Sequence, residues 1–248
     1  MTESCRTPAL AVEICLAVDS PFPFLRELQT CVQAGVSRVE LCRQLAEAGL
    51  TQATACVRRA RRCWGAGPGL LAMARPRAGD FDYSLPERQL LERDVVALAR
   101  SGADGVVVGV LRRGRLHHPA LRSISRVASD WNLTLTFHRA FDALHEPLDA
   151  VDELVELGFQ RILSSGTPWL GGRSAAAGLE PLAALRERIN GRLELVVAGG
   201  VDAAFVPGLR RALKPTTGEL SLHAWSGVRR AGKLDPRRLR ELMQAARG

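Results

Sequence analysis

The segment TFHRAFD, residues 136–142, places a histidine, an arginine and an aspartate where an apolar, extended run ends. Histidine can exchange protons near neutral pH, and a guanidinium binds carboxylate or phosphate groups through paired donors. His138, Arg139 and Asp142 are therefore candidates for acid–base chemistry and for anion binding. Polar residues after a strand can equally be structural, so the decision depends on which other side chains share their surroundings.

Side-chain alternation decides which residues of the predicted strands face the same way. The polar residues that alternate with apolar, outward-facing ones are Glu13, Cys15, Glu40, Cys42, Thr134, Thr136, His138, Ser221 and His223. Two carboxylates and two imidazoles in this set could act as general acid and base, with pKa values set by burial and neighbours. The candidate catalytic residues are Glu13, Glu40, His138 and His223. A structural network of ion pairs is the competing interpretation.

Two thiols in the same inward set indicate metal chemistry. Cys15 and Cys42 lie on neighbouring predicted strands, about 5 Å apart if the strands pair in register. Because thiolates are soft ligands, these two residues are candidate ligands for a metal ion that prefers sulfur. Free cysteine is also commonly a small buried hydrophobe, and Cys31, Cys56 and Cys63 fit that description. Two histidines with two glutamates could instead hold a divalent metal such as zinc or manganese.

Further polar residues lie near the same predicted strand ends and indicate anion binding. The candidate anion-binding residues are Arg75, Arg77, Asp80, Arg139 and Asp142. Gly199 and Gly200 lie at the end of the seventh extended run, the position at which many barrels bind phosphate. Backbone amides at these glycines could hold such a group, and tight turns into the next helix explain the two glycines equally well.

The spacing of the β-rich runs predicts the elements that position these residues. The runs are LAVEICL (10–16), SRVELC (37–42), GLLAMAR (69–75), DGVVVG (104–109), LTLTFHR (133–139), QRILSS (160–165), LELVVAG (193–199) and ELSLHAW (219–225). Amphipathic stretches separate them. Eight such units in 248 residues predict an α/β fold, a (β/α)₈ TIM barrel forming a single domain over residues 1–248. An open doubly wound sheet is the alternative, but no GxGxxG motif follows the first run.

Composition excludes several classes of function. The net charge of +8 comes mostly from arginine clusters at helical spacing, which we interpret as solvated helix faces rather than a nucleic-acid site. No apolar run is long enough for a membrane span, and the first residues lack the pattern of a secretory signal, so we expect a cytoplasmic protein. The six cysteines show no CxxC spacing, so we expect free thiols.

Motifs in a fixed order carry a more specific signal. They are EIC (13–15), RVELCRQLAEAGLT (38–51), MARPRAGDFDYS (73–84), GADGVVVGVL (102–111), TFHRAFDALHEPLDAVDELVELGFQRILSSG (136–166) and VVAGGV (196–201). From about residue 11 to 226 the chain resembles the copper homeostasis protein CutC family. The resemblance implies a cytoplasmic TIM barrel that forms a homodimer or larger homo-oligomer and has a role in copper tolerance.

The chain departs from the family pattern at a few places. These are Ala78, the segment AGLTQ (48–52), the basic turn LRRGRLHH (111–118), the loop at 166–181 and the last strand, LHAWSG (222–227). The candidate residues that are retained are His138, Arg139, Asp142, Arg75, Arg77, Asp80, Glu13 and Glu40. The differences therefore bear on ligand specificity more than on the fold.

Three functions compete on this sequence. The resemblance favours copper homeostasis, with Cu(I) bound at or near the C-terminal mouth of the barrel. Cu(I) prefers soft thiolate ligands, so Cys15 and Cys42 are the candidate copper ligands. The alternative is an isomerase, lyase or other proton-transfer enzyme acting on a small phosphorylated or carboxylated metabolite. An inert scaffold is the least favoured, because such a barrel would fill its inward positions with Val, Ile or Leu.

Overall fold

The computed structural model describes residues 9–171, 174–213 and 218–248, and in them eight strands close into a barrel. Consecutive strands pair in parallel, and the last strand pairs with the first. The strands are β1 (Ala11–Ala17), β2 (Arg38–Cys42), β3 (Leu70–Met73), β4 (Gly105–Val108), β5 (Thr134–Phe137), β6 (Arg161–Ser164), β7 (Glu194–Val197) and β8 (Leu220–Ala224). The predicted (β/α)₈ fold is confirmed, and each strand lies within the run predicted for it except β1, which extends one residue further, to Ala17.

Helices alternate with the strands through the described residues and form the outer layer. They are α1 (Pro21–Ala34), α2 (Thr54–Trp64), α3 (Leu85–Arg100), α4 (His118–Asp130), α5 (Ala150–Glu156), α6 (Leu179–Ile189), α7 (Val206–Ala212) and α8 (Pro236–Arg247). The start of α3 is encoded locally, since Ser84 and Glu87 form a reciprocal capping box. No helix in the described parts of the chain is long and apolar enough to cross a lipid bilayer.

Apolar side chains on the outer face of the strands pack beneath the helices. In β1 the side chains of Val12, Ile14 and Leu16 are at most 1% exposed, and they belong to one large core cluster. Leu135 and Leu222 occupy the same cluster from β5 and β8. The predicted alternation is confirmed, and burial of this apolar area is the main term that stabilises the barrel.

The amino-terminal half of the barrel interior contains a polar layer, which consists of Glu13, Arg38, Arg161, Glu194 and Ser221. Arg161 Nη2 donates to Glu13 Oε2 at 2.6 Å, and Arg161 Nε donates to Glu194 Oε2 at 3.0 Å. Arg38 donates to Glu194 and Ser221 and lies 3.4 Å from Glu13. Buried carboxylates are costly without partners, and here each carboxylate has two guanidinium neighbours.

Closer to the carboxyl ends of the strands the interior changes to sulfur and apolar groups. Cys15 and Cys42 pack with Leu71, Met73 and Val107 in a small buried cluster. The described cysteines are all free thiols, as predicted. Cys5 lies outside the described residues. The two thiols therefore face the part of the barrel at which such folds place their sites.

Candidate functional site

A cavity of about 230 Å³ lies at the carboxyl ends of the barrel strands. The candidate residues that line it are Cys15, Glu40, Cys42, Arg75, His138, Arg139, Gly199, Gly200 and His223. These residues lie on, or in the loops directly after, six strands: β1, β2, β3, β5, β7 and β8. The structure thus brings most of the predicted site into one place, which we call the mouth cavity.

Glu13 does not line the mouth cavity, which corrects its expected placement. It is the third residue of the seven-residue strand β1, so it faces inward but lies in the polar layer. Burial acts to raise the pKa of Glu13, but Arg161 and His223 outweigh burial and hold the pKa below its ordinary value. It still lies close to two mouth residues, Glu40 and His223, and its Oε1 is 3.8 Å from His223 Nε2. A catalytic role for Glu13 stays a prediction.

Three other candidates organise loops instead of lining the mouth cavity. Arg77 donates to Asp80 at 2.8 Å and to Glu87 at 2.7 Å, and it thereby holds the loop that leads into α3. Asp142 accepts hydrogen bonds from Arg139 and from Ser164 Oγ. These three residues hold loops near the site, and none of them lines the mouth cavity.

The thiols of Cys15 and Cys42 meet at the inner end of the mouth cavity, with their sulfur atoms 3.6 Å apart. The strands are not in the register we expected for them, since Cys15 pairs with Glu40 and Ala17 pairs with Cys42. Because β1 and β2 are staggered, Cys15 and Cys42 lie at different heights along the barrel axis. Their side chains nevertheless contact each other in the barrel interior. Both residues are at most 3% exposed, so bulk water does not separate the sulfurs.

Glu40 and His223 form an ion pair beside the thiols. The distance from His223 Nε2 to Glu40 Oε2 is 2.5 Å, and the other oxygen, Oε1, is buried without a partner among the described residues. Burial disfavours a charged imidazole, but hydrogen bonds with Cys15 and Glu40 outweigh burial and raise the pKa of His223 well above its ordinary value. The raised pKa favours the protonated imidazole beside the Glu40 carboxylate.

The two thiols differ in acidity. The hydrogen bond with Cys42 lowers the pKa of Cys15, with burial acting against it and His223 adding to the lowering. Burial raises the pKa of Cys42 well above its ordinary value, and the neighbouring Cys15 raises it further. Cys15 is the thiol that ionises first, and thiolate is the form that binds metals.

His138 is buried in the wall of the mouth cavity and is held in one orientation. Its Nδ1 accepts a hydrogen bond from the amide of Ala140 at 3.1 Å, so the neutral ring carries its proton on Nε2. Burial lowers the pKa of His138 to about 3, and the nearby Arg75 acts in the same direction. His138 is therefore a neutral hydrogen-bond donor throughout the physiological range.

Gly109 provides the space in which the His138 ring lies. A Cβ atom added at Gly109 would come within 2.5 Å of His138 Cε1 and 3.0 Å of Ala140 Cβ. We expect Gly109→Ala to lower the free energy of unfolding by about 1–3 kcal/mol, the usual cost of overpacking. Urea denaturation followed by circular dichroism measures this change.

Gly208→Ala is the matched control for Gly109→Ala. A Cβ atom at Gly208, inside α7, meets no atom within 4 Å. Alanine is the better helix former, so we expect this variant to gain up to about 1 kcal/mol. Equal unfolding energies for the two variants would show that the ring of His138 is not confined by Gly109.

The two glycines after β7 line the cavity through their backbone. Gly199 and Gly200 have φ angles of 100° and 76°, a region that favours glycine. A Cβ atom at Gly199 would lie 3.1 Å from Ser165 Cβ. The tight turn accounts for both glycines, and their amides still border the site.

Aromatic side chains form a wall that the sequence did not reveal. Phe81 lies 5.0 Å from the ring of His138 and 5.0 Å from that of Trp169, measured between centroids. Phe81, Trp169 and Trp225 all line the mouth cavity. Phe81 and Trp169 are loop residues, whose direction no strand periodicity fixes.

Comparison with known proteins places this barrel and its mouth in a family. The sequence profile of the CutC family matches residues 10–228. The chain belongs to the CutC family. A CutC family protein of Vibrio campbellii is 36% identical over 198 residues, which cover 79% of this chain and 78% of that protein. One from Xanthomonas campestris is 37% identical over 193 residues, covering 77% and 75% of the two chains.

A solved structure supports the same assignment. The crystal structure of the copper homeostasis protein CutC from Streptococcus agalactiae superposes with a TM-score of 0.74 at 28% sequence identity. The superposition covers 86% of this chain and 98% of the other. The CutC family assignment and the TIM-barrel fold, both predicted from the motifs and the strand count, are confirmed.

Proposed function

We propose that this CutC family protein binds Cu(I) directly, between Cys15 and Cys42 at the inner end of the mouth cavity. The observation that carries the proposal is the 3.6 Å separation of two buried sulfur atoms that both border the cavity. Cu(I) prefers soft thiolate ligands, and a pair of them suits its low coordination number. The family's association with copper homeostasis agrees with this chemistry.

The surrounding groups suit a thiolate site better than a divalent oxygen site. The hydrogen bond with Cys42 lowers the pKa of Cys15, and the neighbouring His223 adds to the lowering, which favours loss of the thiol proton that metal binding requires. Glu13, Glu40 and His223 also form a group of close ligand atoms. Glu13 is already held by Arg161 and Arg38, however, and their positive charges oppose a divalent cation at that position.

The cellular compartment, the oligomeric state and the alternative enzymatic function remain to be considered. The thiols must stay reduced to bind copper, so we propose the cytoplasm as the compartment. A homodimer or larger assembly stays a prediction. The proton-transfer enzyme also stays a prediction, with the Glu40–His223 pair as its acid–base group.

An anaerobic competition titration against a calibrated Cu(I) chelator tests the proposal. We expect one equivalent of Cu(I) with a dissociation constant below about a nanomolar, or about −12 kcal/mol. X-ray absorption of the loaded protein should then report two sulfur neighbours for each copper. Weak binding, or copper surrounded by nitrogen and oxygen alone, would contradict a site between these two thiols.

A further inference from the structure

We propose that the outer part of the mouth cavity binds a small organic oxyanion, a molecule carrying a carboxylate or phosphate group, between Arg75, Arg139 and His138. This site is separate from the thiol pair at the inner end. The proposal does not depend on copper, and it assigns the cavity a second ligand.

Arg75 is a buried cation without a counter-ion among the described residues. Its side chain is 2% exposed and donates only to backbone carbonyls, those of Glu47 at 2.6 Å, Gly49 at 3.3 Å and Gly79 at 2.7 Å. Its Nε has no hydrogen-bond partner in the described parts of the chain. A buried charge is normally paired, so this guanidinium lacks the partner that an anionic ligand would supply.

His138 offers a second donor without a partner. The imidazole is 3% exposed and borders the cavity, yet its Nε2 makes no hydrogen bond within the described residues. Because Nδ1 accepts from the Ala140 amide, the Nε2 atom carries the proton. Buried polar groups are almost always satisfied, so an oxygen atom of a ligand is the expected acceptor.

Arg139 packs against the same tryptophan ring as Arg75. The guanidinium carbon of Arg75 lies 5.7 Å from the centroid of the Trp169 ring, and that of Arg139 lies 5.2 Å from it. Arg139 is already neutralised by Asp142, which holds its Nε at 2.8 Å. The outer part of the cavity therefore carries the uncompensated charge of Arg75, with Arg139 as a positioned second donor.

The remaining lining limits the size and nature of the ligand. Met73, Leu163 and Trp225 contribute apolar surface that would pack against a carbon skeleton. The volume of about 230 Å³ is below the range of about 300–1,000 Å³ typical of drug-sized ligands. A metabolite-sized molecule with one anionic end fits this combination of charge, shape and apolar contact.

Titrations followed by NMR, through the indole N–H signals of the tryptophans, test the site directly. The probes are inorganic phosphate, benzoate and benzamide, which is the uncharged counterpart of benzoate. We expect saturable shifts of the Trp169 and Trp225 signals with at least one anion, and none with benzamide. Trp64 and Trp131 do not line the cavity and serve as internal references. A response to benzoate alone or to phosphate alone identifies the preferred anionic group.

Variants separate the binding site from nonspecific effects. Arg75→Gln and Arg139→Gln should each weaken binding at least tenfold, and Arg139→Gln decides the outcome if Arg75→Gln does not fold. Arg237→Gln changes an exposed arginine on α8 and should leave binding unaltered. Binding should persist in a Cys15→Ser, Cys42→Ser variant, so failure of the copper proposal leaves this test intact. Absence of shifts with both anions, or equal shifts with benzamide, would overturn the site.

Discussion

Replacing Cys15 and Cys42 together with serine lowers the affinity for Cu(I) by at least about a thousandfold, or about 4 kcal/mol. Serine removes both soft donors, and its hydroxyl does not ionise near neutral pH. The two side chains are 3% and 1% exposed, and each substitution changes a single atom, so we expect the barrel to remain folded. The measurement is the anaerobic competition titration, with circular dichroism to confirm the fold.

Cys56→Ser, Cys63→Ser is the matched control for this loss. It also removes two thiols, but both lie on α2 and neither borders the mouth cavity. We expect this variant to bind Cu(I) with the affinity of the wild-type protein. Retention of tight binding in the Cys15→Ser, Cys42→Ser variant would exclude the thiol pair as the copper site.

The fold was predictable because strand and helix periods are local properties of the sequence. The alternation of Val12, Ile14 and Leu16 with Glu13 and Cys15 fixes which face of β1 packs under the helices. Repetition of that pattern in units of strand and helix length then leaves few topologies, and the closed barrel is the one observed.

The depth of a residue in the barrel was not predictable in the same way. Alternation gives the facing direction of Glu13 and of Glu40, but it does not give their height along the barrel axis. Strand stagger sets that height, and it arises from closure of the whole sheet. Glu13 therefore lies in the polar layer, and Cys15 and Cys42 meet despite a register that pairs neither with the other.

Two groups of interior residues were not predicted from the sequence, for different reasons. Arg161 and Glu194 begin β6 and β7, and the alternation rule applied there would have assigned both to the interior. Phe81 and Trp169 belong to loops, where the path of the backbone, and not a repeating period, directs a side chain. The aromatic wall could be found only from the structure.

Arg161→Met lowers the free energy of unfolding by about 3–5 kcal/mol, the usual result of removing one partner from a buried ion pair. Arg161 is 3% exposed and supports Glu13, Glu194 and the Thr136 hydroxyl. Methionine fills much of the volume but leaves both carboxylates to Arg38, whose side chain is 20% exposed. Urea denaturation at neutral pH measures the loss.

Arg188→Met is the control on the surface of the barrel. Arg188 pairs with Asp152, and the side chains of both residues are at least 40% exposed. Solvated pairs of this kind contribute at most about 1 kcal/mol, so this variant should unfold with nearly the wild-type free energy. The difference between the two variants isolates the effect of burial.

The loss in Arg161→Met should also depend on pH in a definite direction. In the wild-type protein Arg161 holds the pKa of Glu13 below its ordinary value of 4.5, so the network stabilises the fold above that pH and weakens as the pH falls further. Without Arg161, burial raises the pKa of the Glu13 carboxyl, which is then protonated more readily. The difference in unfolding free energy between variant and wild type is therefore largest at neutral pH and narrows towards pH 5.

Adding Glu13→Gln to the Arg161→Met variant should recover part of the lost stability, because it removes an unpaired charge. A loss that is the same at both pH values and unaltered by Glu13→Gln would mean that Arg161 acts by packing alone.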